Sequence, residues 1–464
     1  MELGAILHIL LALAGAVLAL VGGIFLPRHR QTLSAWWCIG ILVIASAVAA
    51  MQLSAPPGLV FEDTFVVDAP SAIAAILIFL GTAAVMVLSI RTIKDDAREA
   101  EYYPLMLFSA LGAVMLAGAG DLMELLLGVL LASVGSYPLV AYRRANPSAM
   151  EALLKFYLFG ALTNTALIFG LVLLYGLSGT TILSDIGARL DPGNFPAVAL
   201  AVTFVLLGLG FKAGFVPVHF WIPDVYEGTT PPVAAFLSIV PKIGALLAIV
   251  RFSAAIPADI AHVGNLVAIL SAVAMTWGNI AMFRQTDLRR FLGYSTIAQT
   301  GYFLLAVVAM GGASGAVPAL LFYLAAYLAA NLTLFAVMTA TGGIRIEAWR
   351  GLLRQRPLLA VAALVSLLSL VGIPPLAGFV GKFALFAATF EAGYLWLLVA
   401  ALINTVVSLY PYLRVATAVI IAGEAAVLEH RDPLASAVAL GAAIATLLLP
   451  LSAYFLPLST ASLQ

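Results

Sequence analysis

Long apolar segments recur along the whole chain. A helix that crosses about 30 Å of hydrocarbon needs about 20 apolar residues, and the 464-residue sequence contains fourteen segments of about this kind. They lie near 3–25, 34–53, 71–91, 103–119, 122–142, 152–176, 196–217, 231–252, 259–283, 288–310, 318–341, 357–390, 395–421 and 434–456. The pattern predicts an all-α integral membrane protein of about fourteen transmembrane helices.

Two of these segments, the seventh and the twelfth, are interrupted. The seventh ends at Pro217, after glycines that include Gly214, and the twelfth contains the sequence Gly372-Ile373-Pro374-Pro375. Proline frees backbone groups inside a membrane helix, and non-helical backbone is tolerated there where it lies within protein or lines a polar cavity. Matching broken helices in two halves of a chain are typical of inverted-repeat transporters. We therefore expect helices 7 and 12 to be broken.

The amino-acid composition also indicates a membrane protein. Hydrophobic residues make up 63% of the chain and charged residues only 9%, with a mean hydropathy of +1.11. A soluble domain carries about a quarter charged residues, so lipid must surround this one. The first apolar run, Leu3 to Leu26, is too long for a signal peptide and has no basic region before it. We interpret it as the first span.

Several kinds of chemistry are excluded by residue type. The net charge is zero, which argues against a nucleic-acid partner. Cys38 is the single cysteine, and the five histidines (His8, His29, His219, His262 and His430) are scattered, so a zinc site, an iron–sulfur cluster or a haem clamp is not expected. The sequence has no GxGxxG motif that opens a helix after a strand and no GxxxxGK[ST] motif, so nucleotide binding is not expected. We expect no cofactor and no metal on this chain.

Basic residues are divided unequally between the two ends of the spans. The loops after odd-numbered spans hold sixteen of them: Arg28, Arg30, Arg91, Lys94, Arg98, Arg143, Arg144, Arg284, Arg289, Arg290, Arg345, Arg350, Arg354, Arg356, Arg414 and Arg431. The loops after even-numbered spans hold two, Arg189 and Arg251. Because cytoplasmic loops are the basic ones, the odd loops are predicted to be cytoplasmic and both termini to lie outside.

The remaining four basic residues are lysines inside predicted spans. Lys155 is near a helix start and is expected at the interface, whereas Lys212, Lys242 and Lys382 are deep. A buried lysine costs about 2.5–3.5 kcal/mol on insertion scales. Lys242 lies about 15 Å from either end of its span, too far for its side chain of about 6 Å to snorkel to the interface. Burial disfavours the ammonium and a nearby carboxylate favours it, so such lysines are suited to proton transfer.

Several segments carry a family resemblance. They are Phe211–Gly228, which includes Asp224-Val225-Tyr226-Glu227-Gly228, Arg289–Gln299, Gly378–Phe383 and Ser408–Arg414. The chain, over roughly residues 100–415, resembles the antiporter-like membrane subunits of proton-pumping NADH–quinone oxidoreductases and their Mrp-type antiporter and membrane-bound hydrogenase relatives. Within this family, the segment Asp224–Gly228 and the lysine at position 382 resemble the corresponding motifs of the N-type subunits.

The resemblance implies two inverted five-helix repeats. The expected divisions are an N-terminal three-helix segment (1–100), repeats at 101–255 (helices 4–8) and 256–422 (helices 9–13), and a C-terminal helix (423–464). It also implies roles: Lys212 loads protons in the first half-channel, Lys242 connects the halves and Lys382 releases protons. His219, just after the first break, is a candidate relay. Asp224 and Glu227 are expected to be loop residues.

The implied function is proton translocation in the membrane arm of a quinone-reducing complex. NADH and quinone are then used by the assembled complex, with other membrane-arm and peripheral-arm subunits as partners. The implied location is the inner (plasma) membrane of a prokaryote. Two alternatives stay open, a cation/proton antiporter subunit of the Mrp type and a structural paralogue that does not pump. Asp224–Gly228 argues against the first.

One departure from the family pattern keeps the second alternative open. The family places a glutamate on span 5, in the pattern Leu-Gly-x-Glu-Leu, to pair with the lysine of span 7. Here Leu130 occupies that place. Glu124, about 9 Å away along the helix axis, and Glu151, at the start of span 6, are the candidate replacements.

Overall fold

The structure is a computed structural model that describes residues 2–54, 56–142, 146–257, 262–421 and 432–455. Helices account for nearly all of the described chain. We label the principal ones α1 (Leu7–Phe25), α2 (Thr32–Met51), α3 (Ala69–Ile93), α4 (Glu99–Gly118), α5 (Leu122–Val140), α6 (Pro147–Ser178), α7 (Phe195–Ala213), α8 (Trp221–Gly228), α9 (Pro231–Ala255), α10 (Val263–Met282), α11 (Leu288–Ala309), α12 (Ala316–Thr341), α13 (Pro357–Val371), α14 (Ala377–Glu391), α15 (Leu395–Ile420) and α16 (Pro433–Phe455).

Smaller elements lie in the connections. A two-stranded antiparallel hairpin, which the apolar pattern does not predict, is formed by β1 (Gly58–Val60) and β2 (Phe65–Val67). The remaining short helices and 3-10 turns are Glu2–Ala5, Arg28–Arg30, Gln52–Ser54, Leu183–Arg189, Pro192–Asn194, Ile346–Trp349 and Leu352–Gln355.

The predicted number of crossings is confirmed. Within the described residues, thirteen helical segments are long and apolar enough to cross a membrane. The pair α13 and α14, each of 15 residues, supplies the fourteenth crossing as a broken helix. The chain is therefore a multi-pass membrane protein. Helix 7 is also broken, but α7 ends at Ala213, ahead of the expected position at Pro217, because Gly214 leaves the helix with a φ of +83°.

The interior of the bundle is formed by α9 and α11. The most apolar stretch of 18 residues in α9 is entirely buried, whereas only 28% of the corresponding stretch of α1 is buried. Close approach depends on small residues: a Cβ on Gly244 of α9 would lie 2.2 Å from the carbonyl oxygen of Ala113 on α4, so glycine permits this contact. The division of the bundle into two inverted repeats stays a prediction.

Both basic residues on the basic-poor side have acidic partners. Arg251 pairs with Asp68, the N-cap of α3, at 2.8 Å and donates to the carbonyl of Ala117 at 2.7 Å. Arg189 pairs with Asp185 at 2.9 Å. Their charges are therefore locally compensated. Three residues of the basic-rich loops, Arg143, Arg144 and Arg431, lie outside the described residues.

Candidate functional site

The first helix break is built around Gly214. The carbonyl of Ala213, the last residue of α7, accepts a hydrogen bond from the Lys242 ammonium of α9 and another, of 3.0 Å, from the Thr300 hydroxyl of α11. Lys242 also donates to Thr300 Oγ1 at 2.6 Å. A Cβ on Gly214 would lie 3.2 Å from Lys242 Nζ and 2.5 Å from Ile222 Cδ1. The break thus forms a close-fitting seat for the lysine.

The second break repeats this arrangement. α13 ends at Val371, Gly372 has a φ of +94°, and α14 begins at Ala377. The Lys382 ammonium donates to the carbonyls of Leu370 and Val371, each at 3.0 Å. A cis proline bond follows the glycine at each break, Val216–Pro217 in the first and Pro374–Pro375 in the second.

Lys242 and Lys382 therefore each lie against the carboxyl end of a half-helix. The last carbonyls of a helix have no partner inside it and carry a partial negative charge that favours a cation. Among the described residues, no ion pair involves Lys212, Lys242 or Lys382. Backbone dipoles, rather than carboxylates, are the groups arranged to hold the charge of Lys242 and Lys382.

Lys212 has different surroundings. It is the penultimate residue of α7 and is buried, and its ammonium has no hydrogen-bond partner in the described residues. Three aromatic rings surround it, with centroids at 5.4 Å for Phe156, 5.7 Å for Tyr137 and 6.0 Å for Phe211. Such rings attract a cation through their faces, but they cannot accept its proton.

Neither candidate acid forms an ion pair with Lys212 among the described residues. Glu151 instead pairs with Lys155 at 2.7 Å, and Lys155 also pairs with Asp224 at 2.7 Å. Glu151 and Lys155 lie one helical turn apart near the start of α6, so their side chains meet each other. A role for Glu151 as the partner of Lys212 stays a prediction. Glu124 lies in the first turn of α5 and forms no ion pair within the described residues.

The expected loop residues Asp224 and Glu227 lie in a helix, α8, and in an ion-pair cluster. Asp224 lies between Lys155 and Arg290, 2.7 Å from each, and Arg290 also contacts Glu227 at 2.9 Å. The cluster joins α6, α8 and α11. It holds the short half-helix after the first break against both neighbours.

Polar residues of α11 form a strip between the two breaks. Thr296 and Thr300 face the Lys242 side: Thr300 Oγ1 lies 2.8 Å from the Thr296 carbonyl oxygen, and Thr296 Oγ1 lies 2.7 Å from the Tyr327 hydroxyl. Tyr327 in turn accepts from Asn331 at 3.0 Å. All four side chains are almost completely buried.

The other half of the strip faces Lys382. Gln299 donates to the Leu370 carbonyl at 3.1 Å, the same oxygen that Lys382 contacts, and to the Tyr412 hydroxyl at 3.2 Å. Tyr323 donates to the Gln299 amide oxygen. Buried hydrogen-bonding groups thus extend along α11 from one lysine seat to the other.

Sequence reasoning did not assign roles to Thr296, Gln299, Thr300 or the tyrosines. A signal for the α11 residues was present, since polar residues three and four positions apart inside an apolar span lie on one side of the helix. The contributions of Tyr323, Tyr327 and Tyr412 come from other helices and follow only from the packing.

His219 lies between the break and α8. Its ring is buried and packs near Phe220 and Trp277, with centroid distances of 4.5 and 6.1 Å, and Nδ1 has no hydrogen-bond partner within the described part of the chain. The relay role of His219 stays a prediction.

The fold and the lysine seats together define a transporter-type membrane protein, a bundle of fourteen crossings with two broken helices and a buried cation at each break. Residues 119–408, more than half of the chain, match the family model described as NADH:quinone oxidoreductase/Mrp antiporter, TM. The chain belongs to this family.

Comparisons with individual proteins identify more specific relatives than the family model does. The chain is 42% identical over 407 residues to "NADH-quinone oxidoreductase subunit N" of Mycobacterium sp. (strain JLS), covering 86% of this chain and 85% of the relative. It is 43% identical over 443 residues to "NADH-quinone oxidoreductase subunit N 1" of Streptomyces griseus, covering 94% and 93%. A chain of respiratory complex I from Thermus thermophilus with bound aureothin superimposes with a TM-score of 0.85, at 33% identity, covering 98% of this chain and all of that one.

Proposed function

We propose that this chain is the N-type proton-translocating subunit in the membrane arm of a bacterial NADH–quinone oxidoreductase. NADH oxidation and quinone reduction take place on other subunits, and this chain moves protons in response. The relatives at 42–43% identity support this assignment, and so does the likeness to a complex I chain.

The observation that carries the proposal is the seating of Lys242 and Lys382 on half-helix carbonyls. A proton that arrives on either lysine is stabilised by fixed dipoles, and the lysine can release it when the local field changes, because no carboxylate in the described part of the chain pairs with it. The strip of hydroxyl and amide groups on α11 lies between the two seats. We propose that it orders the water and side-chain hydrogen bonds along which protons pass.

Inverted membrane vesicles test the function. Addition of NADH should acidify the vesicle interior, at a rate that does not depend on sodium, and deletion of this chain should abolish the acidification. Restoring the parent gene is the control. Proton movement that needs a sodium gradient and no NADH would overturn the proposal in favour of the Mrp-type alternative.

We further propose that both termini lie on the outer side of the inner membrane. The support is the division of basic residues, with Arg189 and Arg251 on the basic-poor side compensated by aspartates. Cysteine introduced by Arg350→Cys should resist an impermeant thiol reagent in spheroplasts and react after permeabilisation. Ser314→Cys, exposed at the opposite end of the bundle, should react in both conditions.

The native Cys38 is fully buried and contributes little background in this labelling. If Arg350→Cys were labelled from outside and Ser314→Cys were protected, the orientation would be the reverse of the one proposed.

A further inference from the structure

A cavity of about 670 Å³ opens at the basic-rich end of the bundle, and no residue of the lysine seats lines it. Its lining comes from the connection between α10 and α11, from the 3-10 turn Ile346–Trp349 and from the last turns of α15. Its polar lining consists mainly of Gln285, Thr286, Glu347, Arg350, Tyr410 and Arg414. None of these residues belongs to the proton-transfer arrangement described above.

Arg414 is held in a fixed position in this cavity. Its Nη1 donates to the carbonyl of Phe283 at 2.5 Å, and its Nη2 donates to the carbonyl of Gln285. Its Nε is buried and has no hydrogen-bond partner within the described residues. Neither Arg414 nor Arg350 takes part in an ion pair in the part of the chain that the structure describes. Arg414 is therefore a positioned cation that has no ion-pair partner among the described residues.

The surrounding charge is also positive. Hydrogen bonds from Ile346 N to Thr286 O at 3.0 Å and from Gly351 N to Ile421 O at 2.9 Å fasten the connecting segments around the cavity. Exposed arginines on those segments, Arg284, Arg345 and Arg354, have no acidic partner among the described residues. Glu347 is the acid in the cavity lining, so the arginines outnumber it.

On its membrane side the cavity continues into an apolar surface. Tyr410, Leu413 and Ile421 of the α15 end line the cavity and are 61%, 44% and 54% exposed. One helical turn further into the membrane, Val406 is 66% exposed. A tyrosine at the end of a span, next to arginines and above exposed aliphatic side chains, is the arrangement found at membrane interfaces.

We propose that this cavity binds the headgroup of an anionic phospholipid. The phosphate lies between Arg350 and Arg414, and the acyl chains lie along the exposed face of α15. Basic pockets between transmembrane helices at the cytoplasmic surface take such headgroups. A lipid, rather than free phosphate, is indicated because the arginines and the exposed apolar side chains line one continuous cavity.

The test uses the intact complex, solubilised and exchanged into mixtures of phosphatidylcholine and phosphatidylglycerol, with bound lipid read by native mass spectrometry. Arg350→Gln should weaken phosphatidylglycerol binding about fivefold, and Arg350→Gln with Arg414→Gln about thirtyfold, since each basic residue near a lipid surface contributes a factor of about five. Phosphatidylcholine binding should not change.

Two further variants separate the proposal from general effects. Lys94→Gln removes a basic residue at the same end of the bundle, outside the cavity, and should leave phosphatidylglycerol binding at the parent level. Glu347→Gln removes the opposing charge and should strengthen binding. Because Glu347→Gln leaves both arginines in place, it still tests the proposal if loss of Arg414 impairs folding.

Three outcomes would overturn the proposal. Equal loss in Lys94→Gln and Arg350→Gln would mean a diffuse charge effect. Displacement of phosphatidylglycerol by inorganic phosphate at equal concentration would mean a free-anion site. Absence of phosphatidylglycerol from the cavity of the intact parent complex, with cross-links from Arg350→Cys to a neighbouring subunit, would mean a protein contact instead.

Discussion

Replacing Lys242 by alanine should lower NADH-driven proton pumping about a hundredfold, the size of effect typical of losing a proton-transfer group. The complex should still assemble, because the Ala213 carbonyl keeps its 3.0 Å hydrogen bond from Thr300 when the lysine is removed. Removing a buried charge also relieves an insertion cost. Pumping is measured by acidification of inverted vesicles, and assembly by the yield of the intact complex.

Two variants control this result. Lys242→Arg should be nearly as inactive as the alanine variant, since arginine keeps the charge but does not give up its proton. Lys155→Ala removes a lysine that is partly exposed and ion-paired near the start of α6, so it should pump far better than Lys242→Ala. Full pumping by an assembled Lys242→Ala complex would show that the lysine is not part of the route.

The second large effect is expected from a double-mutant cycle on Lys212 and Leu130. Lys212→Ala alone should assemble, because the ammonium has no hydrogen-bond or ion-pair partner to lose within the described residues. Leu130→Glu should also assemble, because Leu130 lies two helical turns before Tyr137, on the face of α5 that presents Tyr137 to Lys212. The new carboxylate then pairs with the lysine.

The double variant should fail. With Lys212 absent, the glutamate at position 130, where the leucine is partly buried, is a charge in the bundle without a partner, and breaking a buried pair costs about 3–5 kcal/mol. The interaction energy of the cycle, taken from the yield of assembled complex and its thermal stability, isolates the pair from the separate effects of each change.

The neighbouring residue supplies a matched control. Val129 is fully buried on the same helix, and its side chain points about 100° away from that of Leu130. Val129→Glu should therefore impair assembly whether or not Lys212 is present. If Leu130→Glu behaved in the same way, Lys212 would be out of reach, and the first half-channel would lack the carboxylate switch of its relatives.

The pumping rate of Leu130→Glu shows whether the leucine at the family's glutamate position has removed a function from this chain. A rate at least equal to that of the parent would mean that the carboxylate can still serve there. An unchanged rate in Lys212→Ala would mean that the first half-channel carries no protons, and that Lys242 and Lys382 alone remain on the route.

The sequence by itself determined the class of fold and the depth of the lysines. Both follow from local rules: a span must bury about 20 apolar residues, Lys212 and Lys382 lie within such spans, and Lys242 lies too far inside its span for its ammonium group to reach the interface. The positions of the breaks were predicted to within a few residues, because Gly214, Gly372 and the prolines act on their own stretch of backbone.

Only the tertiary structure decided what surrounds each lysine. Lys242 meets the end of α7 and Lys382 the end of α13, contacts that depend on how separate helices pack and on which carbonyls a break leaves without helical partners. Asp224 of α8 meets Lys155 of α6 and Arg290 of α11 in the same way, through the packing of three helices. Spacing along one helix can be read from the sequence, whereas contacts between helices depend on packing angles that no local pattern specifies.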